Sequence, residues 1–349
     1  MSNLLPFSLC RLTPSNTLNL LHQSFFCGKP TWNMDSDVPD LSGKVIIVTG
    51  GNAGIGRLTV KVGVASIVVV HLAGISLGLI ATLYMASRNT QKAEAVIQEL
   101  HALTGKRAIF LQLDLADLVS VKRAAQEFLS KEKELHVLYN NGGIFAPPIE
   151  EVASTGYDSI DLTFASNTLG HFYLTKLLLP TLIQTSHIAD PARIVTMTSV
   201  LHYIATIDYG TFKDGQMRRK RTPFDLYSQS KWANGVLAME LARRYGDQGI
   251  VSMSVNPGNV TTEIADHATG FVALLAKMFL IHPPVWGAVT QLWAGTSAEA
   301  THLNGKYIAP WGKVAKHRCD VDDPEKGKEL WEWLEEQVSY LAATPVTVV

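Results

Sequence analysis

The chain has 349 residues, with 30 Lys and Arg against 31 Asp and Glu and a formal net charge of −1. That balance excludes the basic footprint of a nucleic-acid binder. Charged residues make up 17%, below the roughly 25% of an ordinary soluble domain. Mean hydropathy is +0.12, and the two values together exclude a disordered chain. Cys10, Cys27 and Cys319 are too few and too scattered for a disulfide framework or a zinc site, so a reducing compartment is the default.

Residues 1–30 carry one Arg, one Lys, no acid and no continuous apolar run. They open a leader over residues 1–38 that reads as poorly ordered, with a weak targeting segment as the alternative. From Leu41 onward, short β-branched runs alternate with helical patterns. Lys44–Thr49 predicts a buried strand, followed by a Gly-rich turn and a helix start. Ala81–Ser87 and Ala108–Leu113 predict strands, with helices over Thr90–Leu103 and Ser120–Ser130. Val137–Asn140, Arg193–Ser199 and Ile250–Asn256 predict further strands. Helices are expected over Tyr157–Gln184, Tyr227–Tyr245 and Pro324–Leu341. This alternation predicts one α/β domain over residues 39–341, built as a doubly wound parallel sheet with helices on both faces. A short tail follows over residues 342–349.

One segment departs from the pattern. Val62–Ala86 is 25 residues without a formal charge, 18 of them hydrophobic. That length makes a transmembrane candidate. It lies, however, between the first helix and the second strand, where spanning a bilayer would break the βαβ unit. Between Gly56 and Arg88 lie 31 residues, where about twenty suffice. Residues 62–80 are therefore an anomalous apolar insertion. Three origins stand open: translated intron sequence, a real insertion that packs or dips into a membrane, or a lengthened buried helix.

The run Thr49-Gly50-Gly51-Asn52-Ala53-Gly54-Ile55-Gly56 follows the first strand directly. Glycines let a backbone turn tightly beside a pyrophosphate, and the helix N-terminus that follows offers free N–H groups and partial positive charge. Gly50, Asn52, Gly54, Ile55 and Gly56 are thus dinucleotide-binding candidates, with a ligand-free βα turn as the alternative. The second strand ends Ala86-Ser87-Arg88, with no acid for a ribose 2′-OH. An Arg there suits a 2′-phosphate, which favours NADP over NAD. Arg57 is placed to add charge. Asp114, after the third strand, is a candidate to face the adenine, or else a helix cap.

Further motifs follow in order: Leu113-Asp114-Leu115, Asn140-Asn141-Gly142-Gly143, Asn167-Thr168-Leu169-Gly170-His171-Phe172, Thr198-Ser199, Tyr227-Ser228-Gln229-Ser230-Lys231 and Pro257-Gly258-Asn259-Val260-Thr261-Thr262. In this order they resemble a short-chain dehydrogenase/reductase, of the retinol-dehydrogenase-like branch and its fungal relatives, over about Pro39 to Trp333. The resemblance implies a Rossmann fold and hydride transfer between NADP(H) and a carbonyl/alcohol pair. Tyr227 and Lys231 are four apart and share one helix face. A Lys cation beside a phenol favours phenolate and lowers a pKa that is ordinarily about 10. Tyr227 can then exchange a proton with the substrate oxygen. By the same resemblance Lys231 holds the nicotinamide ribose, Ser199 hydrogen-bonds the substrate oxygen, and Asn167 holds a water that links Lys231 to solvent. Asn141 is expected on the adenosine side, and Val260 and Thr262 at the nicotinamide amide and the phosphates. The family usually has Ala where this chain has Gly142. Lys176, on the helix of Asn167, is a further cofactor candidate beside its reading as a solvated lysine.

His171 has no second ligand at metal spacing, so no metal site is expected and it reads as a packed helix residue. The run Met217–Arg221 reads as a solvated loop, with contact to an anionic membrane surface as the alternative. Phe271–Ile281 is strongly apolar and lies where such enzymes cover their substrate. This implies a lipophilic carbonyl or alcohol, such as a retinoid, steroid, terpenoid or polyketide piece. An ordinary packed helix or a dimer face is the alternative. The reading is a cytoplasmic NADP-dependent oxidoreductase of a lipophilic small molecule, in secondary or retinoid- or steroid-like metabolism. Membrane association and a homodimer stay open. Its rivals are a catalytically silent NADP-binding sensor and a membrane-attached protein built around residues 62–86.

Overall fold

A computed structural model describes residues 13–65, 71–72, 75–76, 81–153, 159–188, 190–205, 207–261 and 281–342. Eight strands form its main sheet: β1 (Val45–Thr49), β2 (Thr82–Ser87), β3 (Ile109–Gln112), β4 (Val137–Asn140), β5 (Ala192–Met197), β6 (Ile250–Val255), β7 (Lys306–Ala309) and β8 (Lys313–Ala315). Their order across the sheet is β8-β7-β6-β5-β4-β1-β2-β3. All neighbours are parallel except the β7–β8 hairpin. Strands β1, β4, β5 and β6 are buried along their whole length, because helices cover both faces of a parallel sheet. The chain order reverses between β1 and β4, so the ligand crevice opens at the carboxyl ends of these strands.

The helices are α1 (Pro14–Phe25), α2 (Gly54–Ala65), α3 (Thr90–Thr104), α4 (Leu118–Lys131), α5 (Gly170–Ile188), α6 (Pro223–Tyr245), α7 (Pro284–Thr296) and α8 (Pro324–Ala342). On one face α4, α5, α6 and α8 bury Phe128, Phe172, Trp232 and Leu334 in a single core. On the other, α2, α3 and α7 bury Val60, Ile97 and Ala294. The predicted doubly wound α/β fold is the fold observed.

Two helix starts position the site. Helix α6 begins with a capping box: Thr222 Oγ1 accepts the Asp225 N–H at 3.1 Å, and the Asp225 carboxylate accepts the Thr222 N–H at 3.3 Å. Pro223 fills the first helical position, where no N–H is needed. Tyr227 and Lys231 then fall one turn apart. The helix expected from Tyr157 begins later, since Asp161 caps a short turn at Leu162–Phe164. A π turn over Ala165–Leu169 follows before α5, with Asn167 at its centre. Residues 157 and 158 lie outside the described residues.

Two sequence readings change here. The described part of the leader is not a free tail: Thr13 caps α1, and Asn16, Gln23 and Ser24 are buried. The basic run, opened by a short helical turn over Gln216–Arg219, is solvated as read except at one residue. Arg218 is only 1% exposed; it donates to Asp161 at 2.9 Å and to the carbonyls of Ile149 and Glu151 at 2.6 and 2.7 Å. Arg219 pairs with Asp214 and Arg221 with Asp208, so acids on facing segments absorb the charge. In the anomalous segment α2 ends at Ala65, and His71–Leu72 pairs antiparallel with Ile75–Ser76; the rest of 66–80 lies outside the described residues. Among the described residues no helix is long and apolar enough to cross a membrane. Cys27 is free and buried, whereas Cys319 is disulfide-bonded, an outcome the cysteine count does not anticipate.

Candidate active site

Strand β1 delivers Thr49 to the crevice, where its hydroxyl is a hub. Thr49 Oγ1 accepts the N–H groups of Asn141 at 2.9 Å and Gly142 at 2.8 Å, both just past β4. It also lies 2.8 Å from His171 Nε2, and His171 Nδ1 lies 2.9 Å from the Asn167 carbonyl. A carbonyl only accepts, so Nδ1 carries the proton and Nε2 accepts the one Thr49 has to give. The Tyr139 carbonyl, at 3.2 Å, is the more distant acceptor. Full burial pushes the His171 pKa down to about 4, which keeps this neutral tautomer. His171 is packed, as expected, but it also joins the ends of β1 and β4 to the π turn.

The turn after β1 is closed too tightly for side chains. A Cβ on Gly56 would sit 2.3 Å from the Gly50 carbonyl oxygen, and Gly50 has φ +65°. The cradle beside Gly54, where α2 opens with its free N–H groups, is shaped for a pyrophosphate. At Gly142 a Cβ would come within 2.9 Å of Leu115 Cδ1; Leu115 fills the space of the methyl group that the family usually has there. Ile55 packs with Val260, Trp286 and Trp311 in one apolar cluster, so the two ends of the expected cofactor site are physically joined. The residues present fit a dinucleotide.

At the adenosine end Arg88 is exposed just past β2, with no ion pair in the described structure. Arg57 is spent on Glu99, 2.5 Å away. Asp114 Oδ1 accepts the Ala116 N–H at 2.9 Å in a turn ahead of α4, whose cap is Asp117 and not Asp114. Lys176 is bound to Glu335 on α8 and is not brought together with the other candidates. Thr262 lies outside the described residues, as does the apolar run before Ile281.

Ser199, Tyr227, Lys231 and Asn167 do come together. Ser199 follows β5 and hydrogen-bonds the Tyr227 phenol. Its carbonyl lies 2.6 Å from His202 Nδ1. Lys231 Nζ lies 5.5 Å from the centre of the Tyr227 ring and donates to the Met197 carbonyl at 3.2 Å. A Cβ on Gly143 would be 3.0 Å from Asn167 Oδ1 and 3.6 Å from Lys231 Nζ, so the two side chains flank that glycine. Asn167 Oδ1 accepts the Ile144 N–H at 2.9 Å, and Nδ2 donates to the Ile144 carbonyl at 3.1 Å and to Ser230 Oγ at 3.0 Å. Its amide therefore braces the Ile144 loop. That loop sets the Phe145 ring edge-on to Tyr227 with centroids 4.7 Å apart, a wall that no motif announced.

Electrostatics refine the Tyr–Lys pair. Burial holds the Tyr227 phenol well above its ordinary range, and the Ser199 hydrogen bond offsets only part of this. Burial also pushes the Lys231 pKa down to about 8. In the chain alone desolvation sets the phenol, and the one group that lowers it is Ser199 rather than the expected Lys231. The phenol is therefore protonated, with the Lys231 ammonium one turn away, placed to balance the negative charge that transfer of its proton would leave.

The short chain dehydrogenase family model matches residues 44–270. A short-chain dehydrogenase/reductase of Armillaria gallica is 47% identical over 317 residues, covering 91% of this chain and 97% of that one. Retinol dehydrogenase 11 of Mus musculus is 33% identical over 307 residues, covering 87% of this chain and 86% of its own. The crystal structure of a Mycobacterium paratuberculosis protein matches with a TM-score of 0.64 at 26% identity, covering 88% of this chain and 97% of that one. The chain belongs to the short-chain dehydrogenase/reductase family of NAD(P)-dependent oxidoreductases.

Proposed function

We propose that the enzyme moves hydride between NADP(H) and a lipophilic carbonyl/alcohol pair. The observation that carries this is the Ser199–Tyr227–Lys231 cluster beside a glycine cradle too tight for side chains. When bound, the dinucleotide gives or accepts the hydride. In the reducing direction Ser199 Oγ orients the substrate oxygen, Tyr227 gives it a proton, and the Lys231 ammonium balances the charge left on the phenol oxygen. Arg88, free of any described ion pair, supports NADP through its 2′-phosphate. The Phe145 wall, the apolar run Phe271–Ile281 and the mouse relative's name support a lipophilic substrate of retinoid, steroid, terpenoid or polyketide type. A silent sensor would have no use for this cluster. A cytoplasmic setting goes with this reading; carbonate extraction and sedimentation test the membrane-associated and homodimeric alternatives.

Lipophilic aldehydes and ketones assayed with NADPH and NADH test the substrate and the cofactor together. Turnover is expected with NADPH on the lipophilic compounds; turnover only of small polar sugars overturns the substrate class. Arg88→Ala is expected to raise the Kd for NADPH by about 10–100-fold and barely move that for NADH, the loss of one charge-assisted pair. Equal effects on both cofactors overturn the assignment of Arg88. The pH profile tests Lys231. Its ammonium is present below pH about 8 and lost above it. The kcat/KM for reduction should be flat to that pH and then fall by about tenfold per unit, whereas Lys231→Arg keeps its charge and should remove the fall. A wild-type profile flat to high pH overturns this role.

A further inference from the structure

The segment from Pro14 to Met34 precedes the matched family region, yet it is wired into two walls of the site. Gln23, in the last turn of α1, is only 4% exposed. Its Oε1 accepts Asn256 Nδ2–H at 3.0 Å and the Tyr307 hydroxyl at 2.6 Å, and its Nε2 donates to the Tyr203 hydroxyl at 3.2 Å. Asn256 Oδ1 in turn accepts the Gly258 N–H at 3.1 Å. One amide thus spans from the turn that carries Val260 to Tyr203, in the 3-10 turn that Ser199 caps. Past Gln23, Trp311 Nε1 donates to the Gly28 carbonyl at 2.9 Å and Lys313 Nζ to the Cys27 carbonyl at 3.2 Å. Cys27, Trp32 and Met34 complete the cluster that holds Ile55 and Val260.

We propose that this N-terminal arm is a built-in wall of the cofactor site, and that Gln23 is the positioning residue that sets the Asn256–Val260 turn against the nicotinamide end. The proposal rests on the reading of that turn as a nicotinamide contact. The chemistry calls for an amide: Asn256 and Tyr307 each bring a proton, while Tyr203, whose own proton goes to the Lys316 carbonyl, needs one. Leu at position 23 keeps the volume but orphans two buried donors, and relaxation of the turn relieves them.

Gln23→Leu in the full chain is the test, with two readouts. Without cofactor, amide exchange over residues 256–261 should quicken by about tenfold while β1 and β5 keep their protection. The Kd for NADPH should rise by about tenfold, with kcat at saturating NADPH within about threefold of wild type. Gln23→Glu keeps the acceptor for Asn256 and Tyr307 but offers Tyr203 no proton and buries a carboxylate, so it should restore only part of the affinity. Unchanged exchange in the turn overturns the proposal, and so does exchange that quickens evenly across the sheet, the mark of a merely structural residue. Quickening confined to the turn, in a chain whose wild type binds no nicotinamide cofactor, upholds the coupling and overturns the reading of the site.

Discussion

Tyr227→Phe is expected to lower kcat by about 10²–10⁴-fold, the usual worth of a positioned proton donor, and to leave the NADPH Kd within about threefold of wild type. The ring stays where it is, 8% exposed and edge-on to Phe145, so only the hydroxyl is removed. Ser199 loses one hydrogen-bond partner, at a stability cost of about 1 kcal/mol. The loss falls on the proton because burial keeps the phenol protonated at neutral pH. Steady-state rates with a lipophilic aldehyde, paired with a fluorescence titration of NADPH, separate chemistry from binding. A variant that keeps more than about a tenth of the turnover rules Tyr227 out as the proton donor, and a sensor would show no change at all.

Acid should unfold the enzyme over an unusually high pH range. His171 and His202 are fully buried and neutral, and burial holds both pKa values down to about 4, against an ordinary value of about 6.5. His317 is likewise pushed well below its ordinary value by burial and by its neighbour His202. Below pH about 6.5 the unfolded chain binds protons that the folded chain refuses, so stability is intact above that value and drains as pH falls towards 4. For His171 and His202 together the loss is about 4 kcal/mol at pH 5 and about 6 at pH 4, much of a typical stability of about 5–15 kcal/mol. Protonation also strikes the cradle, since a charged His171 can no longer accept the Thr49 hydroxyl. Urea titrations between pH 7.5 and about 4 should show the midpoint falling steadily below pH about 6.5. A midpoint that holds level to pH about 4.5 contradicts the burial of neutral histidine at these positions.

The sheet was legible because strands buried on both faces are written as unbroken apolar runs, as in Val45–Thr49. The Tyr227–Lys231 pair was legible because helical spacing makes four residues one turn. What stayed hidden depends on partners far along the chain. Arg218 looks like one cation in a charged run until Asp161, 57 residues away, is folded against it. Gln23 looks like a leader residue until Asn256, 233 residues on, meets it. Local signals existed for two of the misses. Thr13-Pro14 is a helix-start signature, and His171 stands one helical turn beyond Asn167, within reach of its carbonyl. Sought as a metal ligand, His171 offered nothing; its chemistry was that of a donor and an acceptor held in one neutral ring. For Asn167, motif order places the residue in the cluster but carries no information on which backbone its buried amide grips.

The burial of Arg218 bears on how this enzyme can vary. Val152 and Asp161 pair through a single bridge, and the guanidinium ties Ile149, Glu151 and Asp161 into one knot beside it. With the knot in place, the cost of a longer connection is mainly chain entropy, about 0.6 kcal/mol for each doubling of length. Chain added between Ala153 and Ile160, whose own side chains are buried in the core, is thus separated by this knot from Phe145 and Tyr227. Lineages that share the chemistry are free to lengthen the chain there, and a peptide tag grafted between those two residues should leave turnover unchanged.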